Sequence, residues 1–296
     1  MLMQSFKQIT IVGCGLLGGS FALALRRAGF TGKITACGGK RGAKLAVEMG
    51  FVNAYEESFE RNALCQADLI FLAAPIGAIL DFLKTKTPQI KYGAIVTDAG
   101  STKVEICRVA SESIPKEISF IGGHPMAGSE QTGVEYSRAD LFDGATWALM
   151  DDALSSPNSF VRIQNLITSI GAKPLVTNPE KHDAAVAVIS HFPQILSSVL
   201  ANTIKANDDE LARKLAAAGW RDMTRLAGSS WSVWRDIVMT NDVNLSDAVE
   251  AMIGHLQQVK EALEQRDFNQ VRELFEAANA SVEKQRKLRY RLFEKK

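Results

Sequence analysis

Three glycine-framed segments hold the side chains whose types and spacing could do chemistry. The first, Ile11-Val12-Gly13-Cys14-Gly15-Leu16-Leu17-Gly18-Gly19-Ser20, is a GxGxxG run that follows a strand-like stretch and opens a helical one. Gly13 permits a tight turn, Gly15 lets backbone approach a pyrophosphate, and Gly18 lets helix and strand pack closely. A helix starting at Leu16 and Leu17 offers free N–H groups and its positive dipole end to phosphates. This is the chemistry of dinucleotide binding. The second segment, Thr97-Asp98-Ala99-Gly100-Ser101-Thr102-Lys103, contains a hydroxyl at the start of a helical pattern. The third, Ile121-Gly122-Gly123-His124-Pro125-Met126-Ala127-Gly128-Ser129-Glu130, sets an imidazole in a glycine-rich turn after a strand. A histidine exchanges its proton near neutrality and is a natural acid–base group.

The dinucleotide can be read further. An NAD-binding fold places an acid against the ribose 2′-hydroxyl about twenty residues after the glycines. Here the chain reads Ala36-Cys37-Gly38-Gly39-Lys40-Arg41, and no Asp or Glu precedes Glu48. Lys40 and Arg41 would pair with a 2′-phosphate through charge-assisted hydrogen bonds of roughly 1.5–3 kcal/mol each. The segment Gly38–Arg41 therefore predicts NADP in preference to NAD, with two solvated loop charges as the plain alternative. Ala73, Ala74 and Pro75 are expected in the loop flanking the adenosine side, although tight packing explains small residues equally well.

The elements that must position these groups follow from periodicity. Gln8–Val12, Lys33–Ala36, Leu69–Ala73 and Ala94–Thr97 are short β-rich runs, each followed by a turn and an amphipathic stretch. That is the signature of βαβ units and a parallel sheet. Ser119–Ile121 and Thr146–Met150 extend the pattern, and Pro174–Thr177 adds an edge strand. Beyond Pro179 only helical periodicity remains. Val249, Met252, Ile253, Leu256, Val259 and Leu263 repeat at helical steps, as do Val271, Leu274, Phe275, Ala278 and Val282; Leu196, Val199 and Leu200 form a shorter set. The expected architecture is an α/β Rossmann-type domain over residues 1–178 and an all-α domain over residues 179–296. Such apolar stripes need a surface to pack on, which predicts a homodimer through the helical half, with a self-contained bundle as the alternative.

Composition narrows the class. The chain has 296 residues, 46% hydrophobic and 23% charged, and a formal net charge of +1. No global field attracts nucleic acid or a membrane. The basic end, residues 284–296, reads as a solvated helix terminus. Cys14, Cys37, Cys65 and Cys107 are scattered without metal-ligand spacing, so neither a disulfide framework nor a metal site is expected. No leader pattern opens the chain and no apolar run approaches the roughly 20 residues of a membrane span. The expected location is the cytoplasm.

With the glycine loop, the Thr97–Lys103 and Ile121–Glu130 motifs resemble the prephenate/arogenate dehydrogenase family of tyrosine biosynthesis. The resemblance continues in order through His182-Asp183, Ser190-His191-Phe192-Pro193-Gln194, Gly219-Trp220-Arg221-Asp222-Met223-Thr224-Arg225 and Trp234-Arg235-Asp236, and spans essentially the whole chain. It implies an oxidative decarboxylation. A hydride leaves the ring carbon bearing the 4-hydroxyl for the nicotinamide, the ring carboxylate departs as carbon dioxide, and aromatisation drives the step. His124 then matches the catalytic histidine at the hydroxyl. Ser101 matches the serine bridging histidine, hydroxyl and nicotinamide, a role compatible with capping a helix. Arg225 matches the arginine that grips a substrate carboxylate as a bidentate fork.

Ser129 and Glu130 match positions lining the pocket, and Trp234 an aromatic reaching the site from the partner subunit. Asp222 would orient neighbouring basic side chains. His191 either closes the pocket or satisfies a backbone carbonyl at a helix start. Cys107, Met126 and His255 read as structural. Where prephenate-preferring members tend to carry histidine, this chain has Gln194. Loss of a positive charge near arogenate's ammonium implies arogenate over prephenate. A β-hydroxyacid-type dehydrogenase shares the layout but relies on a helical lysine in a glycine-rich context, which this sequence lacks. A dinucleotide-sensing module would not need His124, Ser101 and Arg225 together.

Overall fold

The computed structural model describes the backbone of residues 6–57, 61–129, 131–151, 154–205 and 210–293, and their side chains except at 40, 61, 62, 204, 205, 213, 285 and 288–293. The N-terminal elements alternate: β1 (Gln8–Val12), α1 (Leu16–Arg27), β2 (Lys33–Cys37), α2 (Lys40–Glu48), β3 (Ala54–Glu56), α3 (Arg61–Cys65), β4 (Leu69–Leu72), α4 (Ile76–Lys86), β5 (Ile95–Asp98), α5 (Val104–Ser113) and β6 (Ser119–Ile121). The six strands form one parallel sheet in the order β3-β2-β1-β4-β5-β6. β1, β4 and β5 are buried at every position, which is why their sequences are continuous apolar runs rather than alternating ones. The strand order reverses between β1 and β4, and a parallel sheet opens its ligand crevice beyond the strand ends at such a point. Phe21 of α1 packs on Phe71 of β4 with ring centroids 4.2 Å apart.

A second sheet follows, of β7 (Gly123–Pro125), β8 (Thr146–Met150) and β9 (Lys173–Thr177), with α6 (Pro157–Ser169) between the last two strands. β8 runs antiparallel to β7 and parallel to β9. The runs expected at Thr146–Met150 and Pro174–Thr177 therefore belong to this sheet and not to the first. β7 and β3 carry no strand signal, since Gly123-His124-Pro125 is turn-like in composition and β3 spans three residues.

From residue 178 on, the described residues form helices and turns only. Asn178 caps α7 (Pro179–Val186), its side chain accepting from the Lys181 amide at 2.8 Å, with Pro179 at the first helical position. A wide π turn (Ala187–His191) leads into α8 (Phe192–Lys205). Next come α9 (Glu210–Leu215), α10 (Ala218–Thr224), a 3₁₀ turn (Arg225–Gly228), α11 (Trp231–Thr240), α12 (Asp242–Glu264) and α13 (Phe268–Phe293). The two apolar series read from the sequence fall on α12 and α13. By contacts the chain forms two compact units, Met1–Asn244 and Leu245–Lys296, so α7 to α11 group with the sheets.

The expectation that no apolar run reaches membrane-spanning length is corrected by Pro179–Thr203, a continuous 25-residue helical stretch long and apolar enough to qualify. Its buried polar residues, described below, take part in a hydrogen-bonded network.

Candidate active site

The glycine loop is built as its sequence requires. Gly13 has a φ of +89°, and a Cβ there would sit 2.5 Å from the Ala73 carbonyl oxygen. Ala73 thus lies directly against the loop, its amide bonded to Val12 O at 2.7 Å. A Cβ on Gly18 would meet the Gly13 oxygen at 2.2 Å, whereas one on Gly15 would meet nothing within 4 Å. Gly15 caps α1 without a side-chain acceptor, so Leu16 and Leu17 begin a helix whose first amides remain available. This open cradle at the switch point fits the pyrophosphate of a dinucleotide.

Gly38 and Gly39 follow β2 in left-handed conformations and lead into α2. Gly42 packs against the glycine loop, since its Cβ would stand 2.5 Å from Cys14 O. Arg41 is exposed beside this loop, and the Lys40 side chain lies outside the described residues. Pro75 caps α4, whose Gly77 amide donates to Asp236 of α11 at 2.8 Å.

His124 stands at the middle of β7, whose start abuts the end of β5. A Cβ on Gly123 would be 2.6 Å from Asp98 O, so only glycine allows this approach. Asp98 and Lys103, both fully buried, hold the junction as an ion pair. Asp98 accepts from the amides of Gly100 at 2.8 Å and Gly123 at 3.0 Å, and the Lys103 ammonium donates to Gly123 O at 2.7 Å. Ser101 is half-buried in this same loop, at the strand end neighbouring the one that carries His124. Thr102 next to it is 2.7 Å from Thr240 of α11, hydroxyl to hydroxyl.

Burial pushes the His124 imidazole well below its ordinary value of 6.5, and the nearby His182, Lys103 and His191 further disfavour a positive charge. The ring is therefore neutral at physiological pH, the state a proton acceptor needs. His124 Nδ1 is 2.9 Å from His182 Nε2, and His182 Nδ1 is 2.7 Å from Asp183 Oδ1. Asp183 also accepts from the Lys103 amide at 2.7 Å and the Val104 amide at 2.9 Å, capping α5 from outside. The Asp183 carbonyl accepts from Asn241 Nδ2 at 2.9 Å, and the same nitrogen lies 3.1 Å from His191 Nδ1. Neither Asn241 nor the roles of His182 and Asp183 are legible locally, because their partners lie about 50 to 80 residues away.

The remaining residues fall in distinct settings. His191 is buried, with its pKa pushed down to about 4 mainly by burial, and bonds a side-chain amide rather than a backbone carbonyl. Trp234 meets that imidazole edge-on at 5.9 Å within its own chain. Gln194 is buried, and its amide is committed to the turn after α10: Nε2 donates to Leu226 O at 2.7 Å and Oε1 accepts from Ser229 at 3.3 Å. Gln194 thus braces the turn that begins with Arg225, which is exposed. Ser129 is exposed and accepts from the Gln131 amide at 3.1 Å. Glu130 lies outside the described residues. Asp222 is exposed beside Arg221, at 4.0 Å. Cys107 is buried, in line with a packing role.

The arrangement matches known proteins along almost its whole length. Residues 21–176 fit the family profile of the prephenate dehydrogenase nucleotide-binding domain, and residues 178–277 that of the prephenate dehydrogenase dimerization domain. A prephenate dehydrogenase of Lactococcus lactis is 32% identical over 91% of this chain and 75% of its own length. The crystal structure of A. aeolicus prephenate dehydrogenase in complex with hydroxyphenyl propionate and NAD+ superposes with a TM-score of 0.87 at 29% identity, covering 94% of this chain and 98% of that one. Synechocystis arogenate dehydrogenase gives a TM-score of 0.82 at 29% identity, covering 94% and 99%. With the two profiles matched in order over residues 21–176 and 178–277, the chain belongs to the prephenate dehydrogenase family.

Proposed function

We propose that the chain catalyses NADP-dependent oxidative decarboxylation of arogenate, with prephenate as its lesser substrate. The observation that carries this reading is the neutral His124 ring, held at the carboxyl edge of the sheet with Nδ1 engaged and Nε2 left for a substrate hydroxyl. The glycine cradle would hold the pyrophosphate of a dinucleotide, whose nicotinamide would supply the hydride acceptor. His124 takes the hydroxyl proton as carbonyl character develops at the ring carbon, and returns it to the phenolate oxygen once carbon dioxide has left. Ser101 holds the hydroxyl in line with the imidazole, and Arg225 binds a substrate carboxylate.

For the cofactor, the support is the Gly38–Arg41 segment, which supplies Arg41 and no carboxylate of its own after β2, while Glu56 of β3 stands beside Cys37 at the strand end. For the substrate, it is the neutral Gln194, which props the Arg225 turn where a histidine would add a titratable cation. The second reading, prephenate with NAD, is favoured by the prephenate dehydrogenase name of the Lactococcus relative and by the NAD+ complex of the A. aeolicus enzyme. Steady-state kinetics over both substrates and both cofactors decides. The expected order of kcat/KM puts arogenate with NADP first, and a higher value for prephenate with NAD overturns it.

The chain acts as a cytoplasmic homodimer in this proposal. Burial pushes the thiols of Cys14 and Cys37 up to about 12. Leu256 of α12 and Phe275 of α13 are more than half exposed and await a covering surface.

A further inference from the structure

The hydrogen bonds behind His124 run in one direction. Both oxygens of Asp183 accept: Oδ1 from the Lys103 amide and Oδ2 from the Val104 amide, at the N-terminus of α5. A carboxylate so placed has no proton to give, so the 2.7 Å contact to His182 Nδ1 requires that nitrogen to donate. A neutral His182 then has a bare Nε2, which can only accept across the 2.9 Å contact to His124 Nδ1. His124 must carry its proton on Nδ1, and the lone pair is left on Nε2. The opposite order needs an imidazolium at His182, a residue only 4% exposed with a second imidazole 2.9 Å from its Nε2. The Lys103 ammonium adds nothing to the chain, being spent on Asp98 and Gly123 O.

We propose that His182 and Asp183 are positioning residues that fix His124 in its Nδ1-protonated tautomer and so make Nε2 the proton acceptor. The inference rests on the reading of His124 as the acceptor for the substrate hydroxyl. The same logic governs a triad in which a buried carboxylate holds a histidine in one tautomer. Here a second imidazole is interposed, and its carboxylate doubles as a helix cap.

The test uses the full-length protein with ¹⁵N-labelled histidine, without cofactor or substrate. Only four histidines are present, and His124→Asn assigns the ring of interest. At neutral pH the His124 Nε2 is expected to resonate as an unprotonated nitrogen and Nδ1 as a protonated one. His182→Leu should abolish that pattern and lower kcat at least about 10-fold with little change in KM, as loss of an orienting partner does. His182→Gln offers an acceptor to His124 and a donor to Asp183, and should restore much of both signals. Thermal melting and NADPH binding by fluorescence identify any variant that fails to fold, in which case the wild-type spectrum alone decides.

A protonated Nε2 on wild-type His124, or a doubly protonated His182, overturns the proposal. So does a fall in kcat in His182→Leu with the His124 pattern unchanged, since that effect would be merely structural. If His124→Asn retains turnover, the positioning role falls together with the acceptor role, even where the spectrum shows the hydrogen-bond order in place.

Discussion

His124 owes its protonation state to its surroundings more than to its own chemistry. Burial above all, with the nearby Lys103 ammonium, holds its pKa well below 6.5, so the unprotonated base survives further into acid than a solvent-exposed histidine would. The acid limb of the kcat/KM profile should therefore lie below pH 6.5, and a limb at or above that value contradicts the assignment. His191 carries the same effect into stability. Its folded value of about 4 lies below the ordinary 6.5, so its neutral form stabilises the fold above pH 6.5. That contribution is lost as pH falls from 6.5 towards 4. Urea denaturation across this window should show a falling midpoint, with a shallower fall in His191→Gln.

Residues of this kind were unequally legible in the sequence. His124 and Ser101 stand in glycine-rich motifs at strand ends. Asn241, by contrast, looks like any polar helix-start residue, and only the fold brings it within bonding distance of His191 and Asp183.

Among elements, the junction of β5 and β7 matters most, because it places both Ser101 and His124. Asp98 and Lys103 are buried there without solvent to replace either partner. Asp98→Ala would strand the ammonium with one carbonyl, and removing one partner of a buried pair typically costs about 3–5 kcal/mol. Chemical denaturation should show a loss of that order, and a loss under about 1 kcal/mol would mean that water reaches the site. The strands of the six-stranded sheet were readable because burial on both faces imposes apolar runs. β7 was not, because its glycine and proline are there to allow close approach and a turn, and its strand character comes from pairing with β8. The division into two sheets was hidden for the same reason. Pairing partners are set by tertiary contact, which a local pattern does not encode.

At the scale of the molecule, α12 and α13 each expose part of the apolar stripe seen in the sequence. Phe275 is 65% exposed and Leu256 57%. The proposed dimer would cover such surfaces, and Phe275→Glu should then shift the sedimenting species from twice 32.2 kDa towards 32.2 kDa. An unchanged mass would place the contact elsewhere. The wide turn at Ala187–His191 has a consequence of its own. A π turn is one surplus residue absorbed into an otherwise regular spiral, so the segments before and after it keep the phase of a helix one residue shorter. Deleting exposed Ile189 should then draw the turn back to ordinary pitch while His182 and Gln194 stay on their partners. A one-residue deletion, ruinous in most helices, would leave the melting temperature nearly as it was.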